Sequence, residues 1–228
     1  MAPDEFVDLA DVDSTIWTDM RYAKERNVVG VPLDGYVDPI CVVTCAAAKA
    51  LSKAQTALSG SGYSLQVLDG YRPVRAVRHI IRWAHDLDDQ RTKPVFYPQV
   101  EKERLFTDGY LHQWSSHSRG STVDVTLVTS EGLPVDMGST FGGFGARSRT
   151  LHAGIRADQR ARRLYLKRTM ERAGFVNLPE EWWHYTYRTE SFPDVYFDFP
   201  VSRLSLRRVV TDVPPIPSGA IPQQRSGE

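Results

Sequence analysis

Three stretches of helical character and three short β-branched, aromatic segments follow one another along the chain, but irregular connections keep them from forming a strand–helix–strand repeat. This pattern favours an α+β domain with a small antiparallel or mixed sheet packed by helices over a doubly wound parallel sheet. The first helix is predicted over 42–59, an Ala-rich run stopped by Gly60, a residue suited to a left-handed helix end. The second follows Arg72, with Pro73 in the first helical position and Val77, Ile80, Ala84 and Leu87 at helical spacing. A third is predicted over 157–173 before Gly174, with Leu166, Met170 and Ala173 on one face. Its arginines (Arg156, Arg160, Arg162, Arg163, Arg168, Arg172) are interspersed with acidic residues and read as a solvated face, not a nucleic-acid surface. Strands are expected over 64–68, 122–128 and 182–188.

A length of 228 residues supports one substantial core. Lys plus Arg equals Asp plus Glu at 28 each, so no whole-molecule field draws the chain to nucleic acid. No apolar run approaches the roughly 20 residues of a membrane span. The acidic first residues lack a secretory h-region, so no membrane association and a cytoplasmic location are expected. Cys41 and Cys45 are one helical turn apart and read as small, partly buried helix residues. A single domain is expected over 1–210, ending in a basic stretch, 202–211, that reads as a last strand or an extended surface segment. A flexible Pro/Ser/Gly-rich tail follows over 211–228.

Three segments carry residues suited to chemistry. In SSHSRGSTVDVTL, His117 precedes a strand whose Val123, Val125 and Leu127 share one face, leaving Asp124 on the other. Gly120 gives the backbone freedom to fold the His117 loop back, yet a surface histidine and an edge-strand aspartate fit the same segment. In EEWWHYTYR, Glu181 and His184 face opposite sides of a regular strand, so acting together requires Glu181 in the turn after Pro179. A Trp-rich core strand with surface Glu and His fits there too. Adjacent Trp182 and Trp183 cannot both enter one core face, so one of them is expected at a pocket or an edge. In VLDGYRP, Arg72 ends a strand, with Asp69 near enough to hold its guanidinium; it suits an oxyanion, or simply an Asp–Arg-stabilised turn. Taken together, His117, Asp124 and His184 are the N/O ligand set of a catalytic zinc with an open fourth position, and Glu181 is a carboxylate suited to acid/base work. No HExxH helix occurs.

DGYRP, SSHSRGSTVD, EWWHY and the later YFDFP, in this order between about residues 20 and 200, resemble the D-alanyl-D-alanine dipeptidases of the vancomycin-resistance type, within the wider group of zinc D,D-peptidases. The resemblance implies a hedgehog/D,D-peptidase-like fold and zinc-dependent hydrolysis of a small dipeptide, D-Ala-D-Ala. It places zinc ligands on His117, Asp124 and His184, the catalytic base on Glu181 and the transition-state arginine on Arg72. Ser115 matches the family serine near the substrate carboxylate, and Tyr22 a tyrosine lining the site. The family commonly reads MGxxFD, its aspartate holding the substrate amino group; here MGSTFGGFG puts Gly142 at that position. Either Asp136 replaces the contact or the substrate differs, for example a longer cell-wall peptide cleaved by a related carboxypeptidase. A zinc-stabilised binding module without catalysis is the reading from another class, and binding alone requires neither Glu181 nor Arg72.

Overall fold

The computed structural model describes residues 1–206; the expected tail over 211–228 lies outside the described residues. In chain order the strands are β1 (Phe6–Asp8), β2 (Trp17–Thr18), β3 (Val42–Thr44), β4 (Tyr63–Asp69), β5 (Thr122–Thr129), β6 (Phe175–Asn177) and β7 (His184–Tyr187). The long helices are α2 (Cys45–Leu58), α3 (Val74–His85) and α5 (Ala157–Arg172); α1 (Leu9–Val12), α4 (Lys93–Phe96) and α6 (Arg203–Leu206) are single turns. A mixed five-stranded sheet in the order β2-β4-β5-β7-β6, parallel only at β2–β4, lies beside the antiparallel pair β1-β3. Helices α2 and α5 pack on the large sheet and on each other.

Local chemistry explains where the helices depart from expectation. Val42–Thr44 is strand, not helix, because its β-branched residues pair with Phe6–Asp8; Thr44 then caps α2, its hydroxyl accepting from the Ala47 N–H. Pro73 is the cap of α3 and not its first helical residue, and α3 stops at His85, which leaves Leu87 exposed beyond it. Helix α5 starts where the Gln159 side chain closes on the Arg156 N–H. Arg163, expected on a solvated face, is fully buried. The start of the basic 202–211 stretch is the helical turn Arg203–Leu206, where Arg203 reaches buried Asp8 at 3.0 Å; the rest of it lies outside the described residues. Trp182 and Trp183 are both buried, 5.2 Å apart and edge to face, because they lie in the turn before β7 and escape strand alternation.

One irregularity sets the geometry of the sheet. Val67 pairs with Val125, but Asp69 pairs with Asp124, so Leu68 is an extra residue bulged out of β4. In a regular strand Asp69 points to the same side as Val67. The bulge reverses that parity and aligns Asp69 with Asp124, which is in turn registered against His184 on β7. Three polar side chains from three neighbouring strands therefore form one row.

Gly120 ends the turn before β5 at φ +84°, and a Cβ there would lie 2.2 Å from the Phe6 ring. Gly120→Ala is expected to lose about 2–4 kcal/mol, combining left-handed strain with a clash against buried Phe6. A thermal melt then shows a Tm roughly 5–15 °C lower.

Candidate metal centre and active site

His117 sits in a short 3₁₀ turn, Ser116–Arg119, immediately before β5. Ser115 caps that turn, its hydroxyl accepting from the His117 N–H at 3.3 Å. The turn is laced to the 70–72 segment: the Arg72 N–H donates to the His117 carbonyl at 3.3 Å, and the Ser118 hydroxyl to the Arg72 carbonyl at 2.8 Å. The same segment runs close against β3 at Gly70, where a Cβ would lie 2.7 Å from the Val42 carbonyl oxygen. The 197–199 part of YFDFP braces the same region. Phe197 donates its N–H to Ser118, Asp198 pairs with Arg75, and Phe199 stacks on Tyr71 at 4.2 Å.

The His117 ring is oriented by its own hydrogen bond. Nδ1 lies 2.8 Å from the Gly70 carbonyl, which can only accept, so Nδ1 carries the proton and Nε2 presents a lone pair. Nε2 faces Asp124 Oδ1 at 3.3 Å and His184 Nδ1 at 3.3 Å, and His184 Nδ1 is 3.2 Å from the same oxygen. His184 Nε2 is held by the Ser116 hydroxyl at 3.3 Å. The three inward atoms all lie within 4.8 Å of one another. Asp124 is on the central strand, 2% exposed, and its Oδ1 has no hydrogen-bond partner among the described residues. A buried carboxylate oxygen between two imidazole nitrogens, with no donor aimed correctly at it, needs a cation. Burial works against the charge of Asp124, but positive charge at the two facing imidazoles outweighs it and holds its carboxyl well below the usual range. At His184, burial opposes the charged ring, yet the facing Asp124 carboxylate outweighs it and raises its pKa. A metal cation satisfies all three groups at once, and the N/N/O donor set suits zinc.

Glu181 lies in the turn between β6 and β7, where strand parity required it, with its N–H on the Leu178 carbonyl. Its Oε2 is 3.5 Å from His184 Nδ1. Burial pushes its carboxyl up, offset in part by His184 and reinforced by Asp124. Arg72 reaches Asp69 Oδ2 with Nε at 2.9 Å and with Nη2 at 2.8 Å, and Nη2 continues to Asp124 Oδ2 at 3.5 Å. The guanidinium also lies over the ring of buried Tyr22, 4.6 Å from its centroid. Fully buried Asp69 is completed by the Tyr36 hydroxyl at 2.6 Å.

His117, Asp124, His184, Glu181, Arg72 and Tyr22 are thus brought together, with Ser115 at the start of the His117 turn. Asp136 is not. Its carboxylate is exposed and taken by Arg156 at 3.0 Å, Gln159 at 2.8 Å and the Gly138 N–H. Gly142 adopts φ +69°, and a Cβ there would meet nothing within 4 Å. Two supporting residues escaped the sequence reading. Ser116 is one serine among several in its motif, and nothing in sequence marks Tyr36 as the partner of Asp69.

Three side-chain atoms able to hold a metal ion, a carboxylate beside them and an anchored guanidinium are the parts that a metal-dependent hydrolase centre needs. Comparison with known proteins narrows the class. Residues 2–202 match the family described as D-ala-D-ala dipeptidase, and the chain belongs to that family of peptidases. It is 43% identical to a D-alanyl-D-alanine dipeptidase of Enterococcus faecalis over 185 residues, 81% of this chain and 92% of the relative. A D-alanyl-D-alanine dipeptidase of Enterococcus faecium is 39% identical over 197 residues, 86% of this chain and 98% of that one. Among solved structures, a vancomycin-resistance D,D-pentapeptidase, VanY, in complex with Zn(II) overlays loosely, with a TM-score of 0.39, 17% identity, and coverage of 68% of this chain and 78% of that one. No helix among the described residues is long and apolar enough to cross a membrane.

Proposed function

We propose that the chain hydrolyses the dipeptide D-Ala-D-Ala to free D-alanine, with one zinc ion per chain held by His117, Asp124 and His184, and that it acts on this cell-wall precursor in the cytoplasm. The observation that carries the reading is the unpartnered, buried Asp124 Oδ1 between two oriented imidazoles, with Glu181 and Arg72 at its side. Zinc at these ligands supplies Lewis acidity that activates water near neutral pH and polarises the peptide carbonyl. Glu181 takes the proton of the attacking water and returns it to the leaving amine; a carboxyl raised by burial is suited to both tasks. Arg72, rigid between Asp69 and Tyr22, stabilises the oxyanion that forms on the carbonyl. Tyr22 lines the site, and Ser115, whose hydroxyl caps the His117 turn, is the group assigned to the substrate carboxylate. The commitment of Asp136 to Arg156 and Gln159 leaves it outside this scheme.

Chelation followed by zinc restoration tests the proposal. Release of D-alanine is expected to vanish with chelator and to return with zinc, L-Ala-L-Ala is expected to remain uncut, and hydrolysis by metal-free protein sinks the reading. Zinc removal is also expected to lower the Tm by roughly 10 °C, since a saturating ligand present at about 1,000 times its Kd contributes about 4 kcal/mol to the folded state.

The open space at Gly142 favours a second reading of the substrate, a related cell-wall peptide with a substituted or extended amino end. Comparing kcat/KM for D-Ala-D-Ala and for its N-acetylated form decides between them. Preference for the free dipeptide by about tenfold or more supports the first reading, and the reverse order supports the second.

A further inference from the structure

Arg163 is a fully buried cation in the middle of α5, and no carboxylate among the described residues pairs with it. Its donors are divided between the two ends of one loop. Nε donates to the Met137 carbonyl at 2.6 Å and Nη2 to the Ser139 hydroxyl at 3.1 Å; Nη1 donates to the carbonyls of Arg147 at 2.9 Å and Arg149 at 2.8 Å. Helix packing alone does not account for it, because an apolar residue of similar volume fills such a position at lower desolvation cost. Burial, helped by neighbouring Arg147, pushes its pKa down to about 10, a measure of how poorly solvated the charge is.

The loop that Arg163 gathers, 137–149, is fastened in turn to the segment carrying Glu181. The Trp182 N–H donates to the Ser148 carbonyl at 2.9 Å, and the Thr150 N–H to the Pro179 carbonyl at 2.9 Å. Ser139 Oγ is shared, accepting from Arg163 on one side and from Trp182 Nε1 at 2.9 Å on the other. Thr150 Oγ1 holds Asn177 Oδ1 at 2.7 Å, and Asn177 Nδ2 donates to the Glu181 carbonyl at 3.0 Å. The loop residues that make these contacts, Ser139, Ser148 and Thr150, are held by Arg163 themselves or are next to residues that it holds.

We infer that Arg163 is a positioning residue for Glu181: by closing both ends of loop 137–149 it holds the 178–183 turn, and so the acid/base carboxylate, in place beside His184. The inference rests on the proposed role of Glu181, although the mechanical link can be read without it.

The test compares Arg163→Met, which retains volume but no donors, with Arg163→Lys, which retains charge but not the fork, using zinc-loaded full-length protein. Hydrogen exchange at the Glu181, Trp182 and His184 amides is expected to speed up by about tenfold or more in Arg163→Met, with α2 amides unchanged. For D-Ala-D-Ala, kcat is expected to fall about 10–100-fold with KM within about threefold, as misplacement of a catalytic group predicts. Arg163→Lys is expected to lie between wild type and Arg163→Met in both readouts. Unaltered exchange across 178–184 in a folded variant overturns the inference, as does a lowered Tm with unchanged kcat. If Arg163→Met does not fold, unaltered exchange in Arg163→Lys overturns it equally. An inactive zinc-loaded wild type counts against the dipeptidase reading alone, because the exchange measurement stands without catalysis.

Discussion

Glu181→Gln is expected to lower kcat on D-Ala-D-Ala by about 10³-fold, inside the roughly 10²–10⁴ range of a positioned acid/base group, with little change in KM. Glutamine retains the shape of the side chain and leaves the turn intact, because that turn is held by the backbone of residue 181 on Leu178 and Asn177. What disappears is the proton acceptor. Fold and metal site are not expected to suffer. Burial already disfavours the Glu181 charge, so a neutral amide relieves desolvation, and the three ligand atoms on His117, Asp124 and His184 are untouched. Zinc titration beside the rate measurement therefore separates catalysis from metal binding. A Glu181→Gln protein with wild-type turnover would remove Glu181 from the mechanism. Loss of zinc with the activity would make Glu181 part of the metal site instead.

Arg72→Met is expected to damage both rate and stability, and the two losses can be taken apart. Loss of a donor aimed at a developing oxyanion costs about 10²–10³ in kcat. Loss of the guanidinium also leaves Asp69, fully buried, with the Tyr36 hydroxyl as its one firm donor. An uncompensated buried carboxylate costs about 3–5 kcal/mol, a fall in Tm of roughly 10 °C. The double variant Asp69→Asn/Arg72→Met removes that orphaned charge and is expected to regain most of the Tm while kcat stays low. Arg72→Lys retains charge but not the fork that meets Asp69 through Nε and Nη2, and is expected to fold with kcat still about 10²-fold down. Wild-type kcat in Arg72→Lys would show that a point charge suffices and that the clamp serves stability alone.

Sequence made the chemistry of the centre more legible than its support. His117, Asp124, Glu181 and His184 stand out because their residue types are costly to bury and their spacing obeys strand parity, which put Glu181 in a turn ahead of β7. Support was harder to read because it depends on partners distant in the chain. Val42–Thr44 looks like the start of a helix until Phe6–Asp8 pairs with it. Arg163 is one of six arginines in and beside a helix rich in charge, and only the carbonyls of a loop some twenty residues away distinguish it from its solvated neighbours. Strand alternation separates Trp182 from Trp183, but it does not govern the turn in which both lie. Asp136 had the right charge near Gly142, but Arg156 and Gln159 hold it at the start of α5.

The bulge at Leu68 makes the length of β4 a question of odd and even. Removing Leu68 places Asp69 directly after Val67 and still opposite Asp124, so a regular ladder keeps its carboxylate on the side of Arg72 and the His117 ring. Taking Leu68 into the ladder opposite Asp124 instead turns the Asp69 carboxylate through the sheet, away from both. Deletion of Leu68 is therefore expected to keep the Asp69–Arg72 pair, whereas a one-residue slip that takes Leu68 into the ladder is expected to break it. The row formed by Asp69, Asp124 and His184 thus depends on one residue that the ladder leaves out.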